Sequence, residues 1–543
     1  MLEEGHEPAC FERAGGLGGV FRFDENAGVV WESCRLTSSG LLTAFSDFPV
    51  PSGRAEHMSV GEYVDYLASY CDAFGVDQHI RFGTTVESVK REPVKGWHVR
   101  TLEPDGQQRE ERYDAVAVCS GPNQHPHRPH FTGQETFPGR ILHSAQYRRP
   151  AQVAGKRVLI VGGGESGADI VGEISEHAAE TVISLRRGVG VLPRTRHGQP
   201  NDYRTCRINN SAAHWIFETR NPADDWKRHV YQAVFLPLIL VDKFIQTSAL
   251  LIGQFRPLLP LLRPRRPDRG AIAETRVAFK TRRLTKQLLK ESGGTLHEQA
   301  GTKSDDWVRA IAAGQCRRAA LIARFDGRRV LFEDGSGFEP DLVILCTGFE
   351  VKVPFLDEAF VRSTRYLQTF VPSIGASLGF IGFVRPALGA IPPLAELQAR
   401  WFASLLSGKS DLPTEEEMRA SIDRRAAFRR HYFRAVPGRL EYLVDYTSLC
   451  DELASMVGCK PNRDALRQES LRFRLHFMIS PFVAAQYRLV GPHAKPAITR
   501  QVITDLPVAY PVHALATFYL RWTLSRALHR LLGPKFAPKL VLQ

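Results

Sequence analysis

The sequence predicts an α/β chain with two Rossmann-like nucleotide-binding domains, one inserted into the other, followed by a helical C-terminal region. Three observations predict it. Residues 156–187 contain a complete strand, glycine loop, helix and second strand. Two similar apolar strands, each ending in a hydroxyl residue and a glycine, bracket that unit at 114–121 and 341–348. A short strand over 8–12 ends in Glu12 and runs into Gly15-Gly16-Leu17-Gly18-Gly19.

The central unit is the most complete. Lys156-Arg157-Val158-Leu159-Ile160-Val161 is an apolar run of the kind buried on both faces of a parallel sheet. Gly162-Gly163-Gly164-Glu165-Ser166-Gly167 satisfies G-x-G-x-x-G. In that motif Gly162 makes the tight turn, Gly164 lets the backbone approach a pyrophosphate, and Gly167 lets helix and strand pack closely. The pattern predicts a helix over 168–177, whose N-terminal N–H groups and dipole face the phosphates. The second strand, predicted over 181–185, ends in Arg186-Arg187. An acid there would hold a ribose 2′-hydroxyl, whereas Arg accommodates a 2′-phosphate, so the pair predicts NADP(H).

The flanking strands point to a second nucleotide site. Glu12 is the acid expected on its ribose, and the glycines after it allow close approach to a cofactor. The strand and G-x-G-x-x-G that precede such an acid by about 20 residues are not in the sequence. Leu2-Glu3-Glu4-Gly5 reads as the tail of the helix that follows such a loop.

Composition bounds the rest. A chain of 543 residues with 43% hydrophobic content has core enough for about two to four domains. The 9 cysteines are scattered without a CxxC, which suits a reducing compartment and argues against a disulfide framework or structural zinc. His125, His127 and His130 lie in a Pro-rich loop and read as solvated, so no metal site is expected. The net charge of +13 and the arginines clustered over 256–283 have no nucleic-acid motif beside them. They suggest attraction to an anionic cofactor or membrane surface. The acidic start Met1-Leu2-Glu3-Glu4 is unlike a signal peptide, and the apolar run 230–241 is too short to span a bilayer. Over 515–532, Leu515, Phe518, Tyr519, Trp522, Leu528, Leu531 and Leu532 recur at roughly helical spacing, with Arg521, Arg526 and Arg530 between them. Such an amphipathic helix fits a membrane interface or the protein's own core, giving a cytoplasmic protein or one at the cytosolic face of a membrane.

One motif is more specific. Phe137-x-Gly139-x-x-x-His143-x-x-x-Tyr147 resembles the FxGxxxHxxx(Y/F) signature of the flavin-containing monooxygenases. The order Glu12-Arg13, Gly18-Gly19, Asp47-Phe48-Pro49, that signature, the glycine loop and Thr347-Gly348 is similar to the family's order. Gly382-Phe383-Val384-Arg385, Gly389-Ala390-Ile391-Pro392 and Gln486-Tyr487-Arg488-Leu489-Val490-Gly491-Pro492 resemble its C-terminal half.

The resemblance implies a discontinuous FAD domain, 1–150 and 331–450, truncated on its N-terminal side. An NADPH domain, 151–330, is inserted into it and carries a helical, basic insertion at about 203–283 that lines access to the flavin. The C-terminal region, 451–543, contains the amphipathic helix. NADPH would reduce FAD, O₂ would add to give a C4a-hydroperoxyflavin, and a small amine or sulfide would take the distal oxygen. Glu12 would bind the FAD ribose, Gly18, Gly19, Val20 and Phe21 would line the flavin, and Thr347 and Gly348 would close that site. Gly162, Gly164, Ser166, Gly167, Ala168, Asp169 and Arg186 would hold NADP, while His143 and Tyr147 organise the linker between domains. Three departures from the family stand out. An Asn that many members place near the flavin is Thr37 here, between Leu36 and Ser38; its hydroxyl can donate one hydrogen bond in a catalytic role. Glu165 replaces a usual Asn and sets a carboxylate near the phosphates, weakening NADP binding. The FAD glycine loop is missing, which predicts poor flavin affinity unless the natural start lies upstream. Alternatives are a Baeyer–Villiger-type monooxygenase, whose signature typically ends in Trp where Tyr147 stands, and a non-catalytic NADP-binding member of the family.

Overall fold

Val158, Leu159 and Ile160 have no polar face to offer water, and the structure buries all three completely. They lie in Arg157–Val161, the middle strand of a five-stranded sheet whose pairings are all parallel. The order runs from Cys316–Ala319 through Glu180–Ser184, Arg157–Val161 and Leu342–Leu345 to Arg140–His143. Successive side chains alternate between two cores. Val158 and Ile160 face Ile170 and Val171 of helix Glu165–Ile174 and Trp307 of helix Asp306–Ala313. Leu159 and Val161 face Phe325, Val330 and Phe338 of a small antiparallel sheet on the opposite side. Burying each such aliphatic chain contributes about 1.5–3 kcal/mol, which makes this sheet the anchor of the fold.

This computed structural model describes residues 1–51, 56–196, 198–207, 269–293, 301–432 and 442–508. Most of the basic insertion and the amphipathic segment 515–532 lie outside the described residues; helix Arg269–Glu291 is described. Among the described residues no helix is long and apolar enough to cross a membrane.

The sequence places 341–348 with the second part of the flanking domain and 140–143 with the first. In the structure both strands instead belong to the central sheet, Leu342–Leu345 pairing with Arg157–Val161 on one edge and Arg140–His143 on the other. The expected resemblance between 114–121 and 341–348 is therefore one of strand ends and not of sheets. Val116–Val118 pairs in parallel with Leu378–Phe380, and Cys10–Glu12 with Ile80–Phe82. An antiparallel meander, Thr85–Arg91, Trp97–Leu102 and Gln108–Tyr113, completes that region. Its core gathers Val89, Trp97, Val118, Phe380 and Phe383. The helix after the glycine loop begins at Glu165, three residues before the expected start, because Gly167 already belongs to its first turn. Residues 2–4 form one 3₁₀ turn ended by Gly5 at φ 82°, a left-handed conformation that glycine adopts without strain.

Two buried guanidinium groups tie distant segments together. Arg488 donates from Nε to Ser46 Oγ at 2.6 Å and from Nη2 to Asp47 Oδ2 at 2.9 Å, with both side chains of the ion pair under 5% exposed. Glu396 accepts from the Ser46 N–H at 2.8 Å, and Lys495 adds a second cation 3.2 Å from Asp47. Arg207 meets Asp451 at 3.2 Å, Gln486 at 2.6 Å and the ring faces of Phe477 and Phe482. Stranding one buried charge costs about 3–5 kcal/mol, whereas removing both partners together costs far less. Arg488→Met should therefore destabilise the protein by about that amount, and Asp47→Asn combined with it should recover part of the loss. A chemical-denaturation double-mutant cycle with no coupling between the two would contradict the clamp.

Candidate cofactor site

The glycine loop sits where Arg157–Val161 hands over to helix Glu165–Ile174. Gly162 has φ 110°, and a Cβ there would stand 2.6 Å from Cys346 O. A Cβ on Gly167 would stand 2.0 Å from Gly162 O, so only glycine lets the helix press against the strand ends. At Gly164 a Cβ would meet nothing within 4 Å, leaving the outer side of the loop open. Gly164 is the N-cap and among the described residues no side chain caps the helix, so its first N–H groups are open to an outside acceptor. An open backbone cradle at a helix N-terminus fits a pyrophosphate.

Arg186 and Arg187 stand beyond the end of the neighbouring strand Glu180–Ser184. Arg186 is exposed, and among the described residues neither guanidinium meets a carboxylate. Burial, and then the adjacent Arg186 charge, lower the Arg187 pKa. Two unneutralised cations at this edge suit an anionic group that a bare ribose lacks.

The side chains expected beside the phosphates turn out to be engaged within the protein. Glu165 Oε2 accepts from the Lys303 N–H at 2.9 Å, and burial pushes its carboxyl pKa up against the opposing pull of Lys303. The predicted weakening by a carboxylate at this loop is thus opposed by a partner that the spacing does not reveal. Asp169 accepts from Arg194 Nη2 at 2.8 Å and is committed to that pair. Ser166 and Ala168 lie in the first turn, Ala168 fully buried.

Thr347 and Gly348, expected to close the flavin side, follow directly on Leu342–Leu345 and so lie beside the Gly162 loop; the Cys346 N–H donates to Val161 O at 2.8 Å. Gly348 O accepts from His143 Nε2 at 3.0 Å and from the His127 N–H at 2.9 Å. His143 Nδ1 accepts from the Ala145 N–H at 3.1 Å, which fixes the proton on Nε2. Phe137 packs edge-on to Phe325, and Tyr147, fully buried, donates from its hydroxyl to Glu173 Oε2 at 2.9 Å. The signature residues are thus fasteners between strand ends, loop and helix.

On the N-terminal side, Glu12 Oε1 accepts from the Ala14 N–H at 2.7 Å, shaping the turn into the glycine run. Gly18, at φ 118°, heads the turn Gly19–Phe21, which contains Val20; Phe21 packs edge-on to Tyr63 at 4.9 Å. Leu36 is buried and Ser38 Oγ lies 2.8 Å from Thr43 Oγ1. Thr37 is half-buried, and its hydroxyl bonds to no described residue.

Sequence reasoning missed His57. Its Nδ1 lies 3.1 Å from Leu36 O and its Nε2 3.2 Å from Arg194 O, joining the Thr37 segment to the central domain. Burial lowers its pKa, with Asp202 pulling the other way and Arg194 adding to the fall. No local pattern marks a histidine whose partners are two backbone carbonyls 21 and 137 residues away.

The environment of His143 makes a pH prediction. Burial holds its pKa at about 4, below the ordinary 6.5. The folded state therefore binds fewer protons than the unfolded state between those values, and stability present above pH 6.5 falls as the pH drops towards 4. His143→Gln keeps a donor and an acceptor but does not titrate. Relative to it, the wild type should lose up to about 3 kcal/mol across that window, measured by denaturant titration. A pH-independent difference would contradict the neutral ring.

The chain is similar to known proteins over most of its length. The family model described as flavin-binding monooxygenase-like matches residues 1–214 and 279–512. The 4-hydroxybenzoate brominase (decarboxylating) of Marinomonas mediterranea is 33% identical over 509 residues, covering 93% of this chain and 90% of the relative. Flavin-containing monooxygenase 5 of Rattus norvegicus is 30% identical over 522 residues, covering 93% and 88%. The structure of cyclohexanone monooxygenase from Rhodococcus sp. Phi1 bound to NADP⁺ shares the fold, with a TM-score of 0.55 at 18% identity over 84% of this chain and 93% of that one. The chain belongs to the flavin-binding monooxygenase family, oxidoreductases that work with FAD and NADPH.

Proposed function

We propose that this enzyme oxygenates the nitrogen or sulfur of a small amine or sulfide, using NADPH, FAD and O₂. One observation supports the reading above others: the carboxylates and histidines around the cofactor edge that could serve as a base already have structural work. His143 holds Gly348, Glu165 holds Lys303, Asp169 holds Arg194 and His57 lies between two backbone carbonyls. A substrate that brings its own lone pair needs no enzyme base, only positioning and exclusion of water. Bound flavin supplies the activated oxygen. The Gly162–Gly167 cradle would hold the NADPH pyrophosphate, Arg186 and Arg187 its 2′-phosphate, and the free Thr37 hydroxyl would donate a hydrogen bond at the flavin. Glu12 and Gly18 to Phe21 would lie along FAD.

A second reading is oxidation of a halide, favoured by the name of the Marinomonas relative, since bromide is also a soft electron-pair donor. Incubating flavin-loaded enzyme with NADPH, O₂ and either N,N-dimethylaniline or methyl p-tolyl sulfide should yield the N-oxide or sulfoxide by mass spectrometry. Bromination of 4-hydroxybenzoate alone would favour the second reading; lactone formation from cyclohexanone alone would favour a Baeyer–Villiger enzyme. NADPH consumption yielding only hydrogen peroxide with all of them would overturn the proposal. Arg186→Ala should raise the KM for NADPH at least about ten-fold while leaving NADH nearly unchanged, the loss expected for one charge-assisted contact. Equal losses for both cofactors would refute the 2′-phosphate role.

A further inference from the structure

A cavity of about 460 Å³ lies on the flank of helix Glu165–Ile174, away from the glycine loop. Gly172 and Glu173 on its wall are about 12 Å along the helix from Gly164, by the rise of 1.5 Å per residue. The other walls come from segment 31–35, helix Asp306–Ala313 and helix Arg269–Glu291.

The charges facing this space do not neutralise one another. Arg194 and Asp169 form a closed pair at one edge. Five others remain. Glu173 accepts hydroxyl hydrogen bonds from Ser33 and Tyr147 but meets no cation, and the exposed Glu176 has no ion-pair partner among the described residues. Arg35 donates only to the carbonyl of His57, and the exposed Arg309 reaches no carboxylate within ion-pair distance among the described residues. Three carboxylates, Asp306 the third, and two guanidinium groups thus line one cavity without an ion pair among the described residues. Opposite charges free to move on a surface gain little by pairing, but those already facing one hollow are ready to pair through a guest. Trp31, Val277 and Ala310 add apolar wall between them.

We propose that this cavity binds a small zwitterion of the α-amino-acid class, its carboxylate on Arg35 and Arg309, its ammonium on Glu173 and Glu176, and its aliphatic part against Trp31 and Val277. The volume is within the range of small-molecule sites. A simple anion would leave the carboxylates facing it, and a simple cation the guanidinium groups. The site is separate from the cofactor cradle, and the reading is independent of which substrate the enzyme oxygenates. Because residues 33–35 line it and Thr37 follows two residues on, occupancy bears directly on the segment expected at the flavin.

The test is calorimetric titration of the full-length protein, without NADPH, using L-norleucine and its two halves, pentylamine and hexanoate. Without reductant no turnover competes, and because two of the probes are amines, the variants on the cavity wall assign the binding to this site. Norleucine should bind saturably and at least ten-fold more tightly than either half. Arg309→Gln and Glu176→Gln, both at exposed positions, should each weaken it at least ten-fold while leaving NADPH binding and the melting temperature unchanged. Absence of saturable binding, equal affinity for norleucine and hexanoate, or full affinity in both variants would overturn the proposal.

Discussion

The approach of Gly167 to Gly162, and of Gly162 to Cys346, sets the geometry from which the rest of the central domain follows. With no Cβ at either position the first turn of helix Glu165–Ile174 lies against the ends of two neighbouring strands at once. Its uncapped N–H groups, the Thr347–Gly348 corner and the arginines after Glu180–Ser184 therefore reach one edge of the sheet. A side chain at Gly167 would lift the helix, and more than the cradle would go. The same helix supplies Asp169 to Arg194 and Glu173 to Ser33 and Tyr147, so it is also the post to which segment 31–35 and the monooxygenase signature are fastened. The open loop and the cohesion of the domain share one close contact.

The glycine-loop half of this arrangement was legible in the sequence because it is local. Turn, cradle and close packing each require glycine at a fixed spacing, and the strand that precedes them is apolar on both faces. Strand partnership was not legible. Leu342–Leu345 and Val116–Val118 share a composition and a hydroxyl-glycine ending, yet one joins the sheet of the glycine loop and the other pairs with Leu378–Phe380. Parallel strands are brought together by crossovers, so nothing near them in the chain names their neighbours. The same holds for Asp47 and Arg488, which lie in motifs recognised separately but separated by 441 residues. Glu165 shows the limit in another way. Its spacing puts a carboxylate at the loop, while only the folded structure supplies the Lys303 N–H that receives it.

The ionisable groups divide the labour in a way that fits a cofactor-driven enzyme. Those nearest the sheet edge are buried or half-buried and engaged by hydrogen bonds, and they fix loops relative to one another. Arg488 and Arg207 do the same deeper in the protein, where each charge meets a carboxylate as well as neutral partners. Such networks specify a unique arrangement more than they add net stability, since desolvation offsets much of the attraction. What the chain contributes through these groups is shape.

His57 carries a further consequence. Its two nitrogens face two carbonyl oxygens, and neither acceptor can supply a proton. A neutral ring has a single N–H, so in each molecule it bonds either the Leu36 side or the Arg194 side, and the other carbonyl goes unanswered. Tautomer exchange in one imidazole thus trades attachment to the Thr37 segment for attachment to the dinucleotide domain. The seam between that segment and the central sheet is fastened by a latch with one tongue and two catches.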